Sequence, residues 1–284
     1  TYAAVRPKRP TATEVQRAES ALNTLFQSML PRPTESSDDA FLASMTLHLA
    51  TVPVPIGHGP VRLLDGIRFS LNLDVPMNLF FTERIMLQYS RLFRIIGLVN
   101  HTLECLKGSW WFLASTSTSD SSGEMRRLAA LRQSLHHFAS TLHRYLLVGV
   151  VAAEFQRLEK KILGATSLNE ILLEHRACLG RCLAKAFLDT SRLEAAGDAL
   201  AAVVGILDQA LQLQRLLEEV AAQAPRSFPA WAVSRVYTIN GSFLDLRRSL
   251  QLCRPGGDGI DLDPFEEDFF ETWLLQWSRH FEQN

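Results

Sequence analysis

Leu71–Trp111 reads LNLDVPMNLFFTERIMLQYSRLFRIIGLVNHTLECLKGSWW, and the fold is decided there. Ile85, Tyr89, Leu92, Ile96, Val99, Leu103, Leu106 and Trp110 follow one another at alternating spacings of four and three. Such spacings return to the same side of an α-helix, so the stretch predicts one long helix with a continuous buried seam. Ahead of it, the ring of Pro76 pushes Val75 to extended geometry, and Thr82 with Glu83 supplies a helix start. At about 1.5 Å per residue, Glu83 to Trp111 spans roughly 40 Å, which requires packing partners along the length. Tyr89, Phe93 and Trp110 lie on or beside the seam and are expected to be buried. On that expectation Phe93→Ala costs ~3–5 kcal/mol.

Upstream, Leu63, Ile67, Phe69, Leu71 and Leu73 are spaced nearer two than 3.6, which predicts a short extended segment before the helix. Phe41, Leu42, Met45, Leu47 and Leu49 form a short apolar segment ending at Pro53 and Pro55. Val15, Ala18, Leu22, Leu25, Phe26 and Leu30 stripe an earlier helix that Pro31 and Pro33 stop. Thr1 to Pro10 is basic and proline-bearing and reads as a tail or linker. Downstream, Ser115 to Gly123 is nearly all Ser, Thr and Asp and reads as a flexible loop. Leu128, Leu131, Leu135, Phe138, Leu142 and Tyr145 then resume the three-four spacing, continuing through Val151, Phe155, Leu158 and Ile162 in a second helix antiparallel to the first. Gly164 ends it, and Ser167 with Glu170 forms a capping box for a third helix. Ser191 or Asp198 begins a fourth, Ala230 to Cys253 is a fifth, and Asp263-Pro264 starts a last one bearing Phe269, Trp273, Trp277 and Phe281.

The long stretch resembles the opening of the C-terminal domain of the gamma-tubulin complex components. In that family an extended, leucine-rich segment with a Val-Pro step precedes a helix carrying a Tyr, a Leu-Phe pair and a terminal Trp. Val75-Pro76, Tyr89, Leu92-Phe93 and Trp110 or Trp111 match those positions. The family commonly continues Trp-Pro-Leu after the first proline, where this chain has Met77-Asn78-Leu79, which marks a divergent member. Leu131-Arg132, Phe138 and Tyr145-Leu146 resemble the next family helix, and His175 with Leu179 the one after. The resemblance runs from roughly Leu71 to Leu188; the tail after Pro255 has no match.

The composition is globular, with 47% hydrophobic residues in 284 and a net charge of −1, which gives no electrostatic case for nucleic acid. The longest strongly apolar run, Tyr145 to Ala153, is too short for the ~20 residues a bilayer span needs. Arg6, Lys8 and Arg9 precede no apolar core of the kind a signal peptide carries. Cys105, Cys178, Cys182 and Cys253 sit inside apolar helical patterns, as reduced thiols in a cell interior do. His175, Cys178 and Cys182 have a spacing that one helix face could offer to zinc, but they fit a packed seam equally and read as core. His136, His137 and His143 lack a nucleophile at catalytic spacing and read as solvated or partly packed. Asp38-Asp39 reads as solvated charge, and Gly57-His58-Gly59 and Gly256-Gly257-Asp258-Gly259 lack the lysine and the strand-to-helix context of a phosphate loop.

The expected fold is therefore all-α, long antiparallel helices in one or two bundles with a short extended segment before Leu73. Residues 1–70 form an N-terminal helical and loop region, 71–254 the helical bundle, and 255–284 an acidic, aromatic helix. What the resemblance implies is a non-enzymatic scaffold subunit that binds gamma-tubulin and other complex components and supports microtubule nucleation. It also implies the cytoplasm and cytoskeleton at a microtubule-organising centre, no cofactor of its own, and GTP belonging to gamma-tubulin. Membrane and nucleic acid are not expected partners. On this reading the chain is a fragment or a short member holding the gamma-tubulin-binding half. A helical vesicle-tethering subunit is the alternative, and a helical enzyme comes third. Arg and Trp are enriched at interfaces, so Phe228, Trp231, Arg235, Asn240, Arg247 and Arg248 are the partner-binding candidates, with the surface from Asn72 to Arg84 next.

Overall fold

A computed structural model of the chain describes residues 44–49, 66–116, 123–189, 194–223 and 228–252, together with positions 13, 16, 17, 19–21, 23 and 24. The stripe from Val15 to Leu30, Asp38-Asp39, Gly57–Gly59, Cys253, the glycines at 256–259 and the helix from Asp263 fall wholly or mostly outside them. Within them the all-α expectation holds. Strands β1 (Met45–Leu49) and β2 (Ile67–Leu71) are followed by a short 3-10 turn (Met77–Leu79) and then by helices alone. These are α1 (Glu83–Thr116), α2 (Gly123–Arg144), a π-helical stretch (Tyr145–Ala152), α3 (Ala153–Gly164), α4 (Leu168–Lys185), α5 (Glu194–Gln223) and α6 (Ala230–Leu252). The chain divides into two compact units, the first including residues up to Arg91 and the second running from Leu92 onward.

In the first unit β1 and β2 pair antiparallel, Leu47 opposite Phe69. The extended segment expected before Leu73 is there at Ile67–Leu71; β1 was legible only as an apolar run, because its ladder partners lie 18 to 26 residues away. The free edge of β1 is occupied by Asn23, whose amide nitrogen donates to the Leu47 carbonyl at 2.6 Å while its oxygen accepts from the Leu47 N–H at 2.7 Å. A side-chain amide thus imitates a neighbouring strand. Ser90, buried on α1, accepts from the Phe69 N–H at 2.9 Å and donates to the Met86 carbonyl at 2.7 Å, which ties β2 to the first turns of the helix.

In the second unit the seam of α1 is wider than the spacing implied. Leu92, Ile95, Leu98, Val99, Leu103, Leu106 and Leu113 are buried, but Phe93 is 37% and Trp110 51% exposed. The expectation that these two aromatics are buried is overturned, and Tyr89 is half-buried. Phe93 directly follows a seam residue and is rotated about 100° away, and Trp110 closes a list whose neighbours Ile95 and Leu98 pull the buried face round. The helix continues through Ser115 and Thr116, and Gly123 already belongs to α2, so these three residues are not part of the loop expected over 115–123, and the rest of it lies outside the described residues. Arg132 of α2 meets Leu106 and Trp110 of α1.

The second helix keeps one axis but not one winding. Leu142, Leu146, Val150, Glu154 and Leu158 are all buried, and all are four apart. In a regular α-helix each step of four drifts by about 40°, so five such residues would spiral off the core. The π-helical stretch at Tyr145–Ala152 takes more residues per turn and cancels that drift. The consequence is that Glu154, not Phe155, and Leu158, not Ile162, face inward; Phe155 is half-buried and Ile162 is 39% exposed.

Glu154 is consequently a carboxylate 1% exposed. Arg181 Nε donates to it at 2.7 Å, Lys185 Nζ donates to its other oxygen, and Arg157 lies 3.5 Å away. Burial pushes its pKa up, but the hydrogen bonds from Lys185 and Arg181 outweigh that and hold it below the ordinary value. This cluster fastens α3 to α4, which pack along each other.

Helix α4 begins as its sequence says. Ser167 Oγ accepts from the Glu170 N–H, while the Glu170 carboxylate reaches back one residue further than a standard box, to the Thr166 N–H at 3.0 Å. It ends without a glycine. Leu188 N–H returns to the Leu183 carbonyl at 2.8 Å and Phe187 N–H to Ala184 at 3.1 Å, with Phe187 at φ 60°. A left-handed non-glycine residue costs about 1 kcal/mol, which the stacking of its ring on Tyr145 helps offset.

Helix α5 starts at Glu194, so Asp198 lies inside it and is not its cap. It packs against both α6 and α2. Among the described residues, Gly197–Gln223 is long and apolar enough to cross a bilayer, although its apolar residues are interrupted by polar ones; more than half of its most apolar part is buried inside the protein, as in a core helix. A Cβ on Gly205 would stand 3.0 Å from both Leu246 methyls, so α5 and α6 approach closely there. Gly205→Val is expected to destabilise by ~1–3 kcal/mol in urea denaturation. An unchanged midpoint would show that half-buried Leu246 swings aside.

Candidate partner-binding surface

The sequence named six residues around α6. Its core side is Ala232, Val236, Ile239, Phe243 and Leu250, packed on α5. Taking about 100° per residue, Trp231 and Arg235 stand about 40° apart on one flank. Asn240 and Arg247 are rotated from Trp231 by about 180° and 160°, on the opposite flank, and Arg248 points away from the core. The structure therefore brings Trp231 and Arg235 together and separates them from the other three. Phe228 is half-buried just ahead of the helix.

Trp231 is 38% exposed, and the Arg235 guanidinium lies 5.9 Å from its ring centroid. Arg235 also pairs with Glu219 of α5, and both partners are half exposed. An exposed pair of this kind contributes ~0–1 kcal/mol, so Arg235 can exchange Glu219 for a partner's carboxylate at little cost. Arg248 pairs loosely with Asp245 at 3.5 Å, and Asn240 and Arg247 are half-buried. Tyr237, 51% exposed, takes a hydrogen bond from Arg127 of α2, whose guanidinium also lies 5.6 Å from its ring. Sequence reading missed this cross-helix pair because residues 110 apart leave no periodic signal.

The reserve surface in the first unit is apolar. Val75, Met77 and Leu79 are 76%, 43% and 46% exposed around the turn that precedes α1. Such grouped exposure is informative where single exposed leucines are not.

His175, Cys178 and Cys182 are all buried in the α4 seam, as expected. The Cys178 thiol donates to the Glu154 carbonyl at 3.5 Å. The hydrogen bond with Cys178, and then burial, push the Cys182 thiol up, while burial and Arg176 lower His175. A neutral Cys182 thiol and a neutral imidazole suit an apolar seam. His136, His137 and His143 are half-buried. Cys105, Cys178 and Cys182 are free thiols. Among the described residues no three His, Cys, Asp or Glu side chains are grouped as a metal site would need.

The sequence pattern of the family described as "Gamma tubulin complex component C-terminal" matches residues 3–254. The match ends where the tail after Pro255 begins. Gamma-tubulin complex component 3 of Arabidopsis thaliana is 26% identical over 148 residues, covering 48% of this chain and 18% of that protein. Gamma-tubulin complex component 4 of the same plant is 23% identical over 142 residues, covering 44% of this chain and 19% of the relative. Gamma-tubulin complex component 2 of Mus musculus is 23% identical over 133 residues, covering 46% and 15%. The matched stretch spans less than a fifth of each relative's length. With a family match across most of its length and a fold of long packed helices, the chain belongs to the gamma-tubulin complex component C-terminal family.

Proposed function

We propose that this chain is a non-catalytic scaffold subunit of the gamma-tubulin complex, which binds gamma-tubulin and supports microtubule nucleation. The observation that carries this reading is the family match over residues 3–254, and the names of the relatives agree with it. It favours a complex component over a vesicle-tethering subunit. Residues 71–254 are the binding domain on this reading, other complex components are its neighbours, and its place is the cytoskeleton at a microtubule-organising centre. The nucleotide chemistry belongs to gamma-tubulin.

The binding surface we assign is the Trp231 and Arg235 flank of α6, extended by Phe228. An exposed indole beside a lightly held guanidinium has the composition of an interface anchor. Arg247, Arg248 and Asn240 would serve a second contact, since one flat partner cannot lie on both flanks of a helix at once.

Capture of the chain on immobilised gamma-tubulin tests this. Trp231→Ala with Arg235→Ala is expected to weaken capture about tenfold at low salt and less at high salt, where the charge contribution is screened. Removing Arg235 is a cleaner change than reversing it, because a glutamate there would face Glu219. Asn240→Ala with Arg247→Ala reports on the second flank. If both folded double variants are captured as well as the parent at every salt concentration, the α6 surface is wrong, and Val75, Met77 and Leu79 are the next residues to change. No capture of the parent would overturn the scaffold reading itself.

A further inference from the structure

Arg132 of α2 is 7% exposed, yet no carboxylate among the described residues pairs with it. Its Nε donates to the Leu106 carbonyl of α1 at 3.0 Å, and its guanidinium lies 5.2 Å from the Trp110 ring centroid. No hydrogen bond among the described residues uses its two outer nitrogens. A histidine and a lysine stand close by. His136 is one turn further along α2, and Lys107 of α1 is near enough that, after burial and together with Arg132, it pushes the His136 pKa down. Lys107 is 60% exposed and held by Glu104, itself 68% exposed at the rim. Trp110 forms the open wall of the site, half its surface in water.

We propose that Arg132, Lys107 and Trp110 form a docking site for an acidic protein segment, in which one partner carboxylate closes on the outer nitrogens of Arg132. Three observations point to an acidic occupant. A desolvated cation is costly unless an anion meets it, and this chain supplies none among its described residues. The guanidinium is already fixed by Leu106 and Trp110, so its remaining fork of donors is pre-organised for the planar, two-point grip of a carboxylate. Lys107 sets the same sign of charge beside it, while the exposed indole offers an apolar wall for the residue next to the acid. The site lies between α1 and α2, and the inference does not rest on gamma-tubulin binding through α6.

The test is fluorescence anisotropy of a labelled Glu-Glu-Phe-Glu-Glu peptide with the full chain, beside the Gln-Gln-Phe-Gln-Gln version. The glutamate peptide is expected to bind saturably and the glutamine peptide at least about tenfold more weakly. Lys107→Ala with Trp110→Ala changes only exposed side chains and is expected to weaken the glutamate peptide about tenfold. Arg132→Lys keeps the charge but loses the fork and is expected to weaken it as well, with melting curves compared first. Arg126→Ala with Arg144→Ala removes two exposed cations elsewhere on α2 and is expected to leave binding unchanged. No saturable binding by the parent, equal binding of the two peptides, unchanged binding in the Lys107/Trp110 variant, or an equal loss in the Arg126/Arg144 control would each overturn the proposal.

Discussion

Phe138→Ala is expected to lower stability by ~3–5 kcal/mol, which for a domain of this size shifts the melting temperature on the order of 10 °C. Phe138 is fully buried on α2, within the seam that continues through Leu135 and Leu142. Removing its ring leaves a cavity whose walls, on α2 and the helices beside it, are held by their own backbone hydrogen bonds and relax only in part. Phe93→Ala removes the same atoms from a ring 37% exposed, and loses at most about 2 kcal/mol. Thermal and urea denaturation of the two variants side by side checks the difference. If they melt together, the burial difference between the two rings is wrong.

Glu154→Gln should be comparably damaging, ~3–5 kcal/mol at neutral pH, because it leaves Arg181 and Lys185 without their buried counter-charge. A glutamine at this position accepts hydrogen bonds but neutralises nothing. The pH dependence follows from the lowered pKa. The carboxylate's contribution is fully present above its ordinary value of about 4.5, and is lost as pH falls through the lower value it has in the fold. The gap between parent and Glu154→Gln should therefore be widest near neutrality and narrow below pH 4.5. Denaturation midpoints across that range measure it. A gap independent of pH would mean that shape, not charge, is what Glu154 supplies.

The place of Glu154 shows where sequence reading stops. A three-four pattern continued through the second helix puts Phe155 and Ile162 inside, whereas the π-helical stretch turns the seam so that a carboxylate enters the core. No residue in Tyr145–Ala152 announces that winding. The carboxylate it turns inward is met by Arg181 and Lys185 of the neighbouring helix α4. The partner-binding candidates met the same limit. Trp231 and Arg247 are sixteen residues apart, and only the position of α5 decides which flank of α6 each one takes. Arg132 was visible only as part of a Leu-Arg step in a family pattern, and that it meets no carboxylate among the described residues cannot be seen without its surroundings.

The sequence by itself determined the all-α class, the helical stretches to within a few residues with α2 and α3 read as one helix, the stop at Gly164 and the Ser167–Glu170 cap. It also carried the family, through Val75-Pro76, Tyr89 and Leu92-Phe93. All of these rest on contacts between residues three or four apart, or on the backbone limits of proline and glycine, so the information is local. Only the tertiary structure decided that Phe93 and Trp110 face outward, that β1 is a strand, that Glu154 is buried, and that Arg132 meets no acid among the described residues. Burial and charge pairing depend on groups twenty to more than a hundred residues away, and the chain brings those together only when it folds.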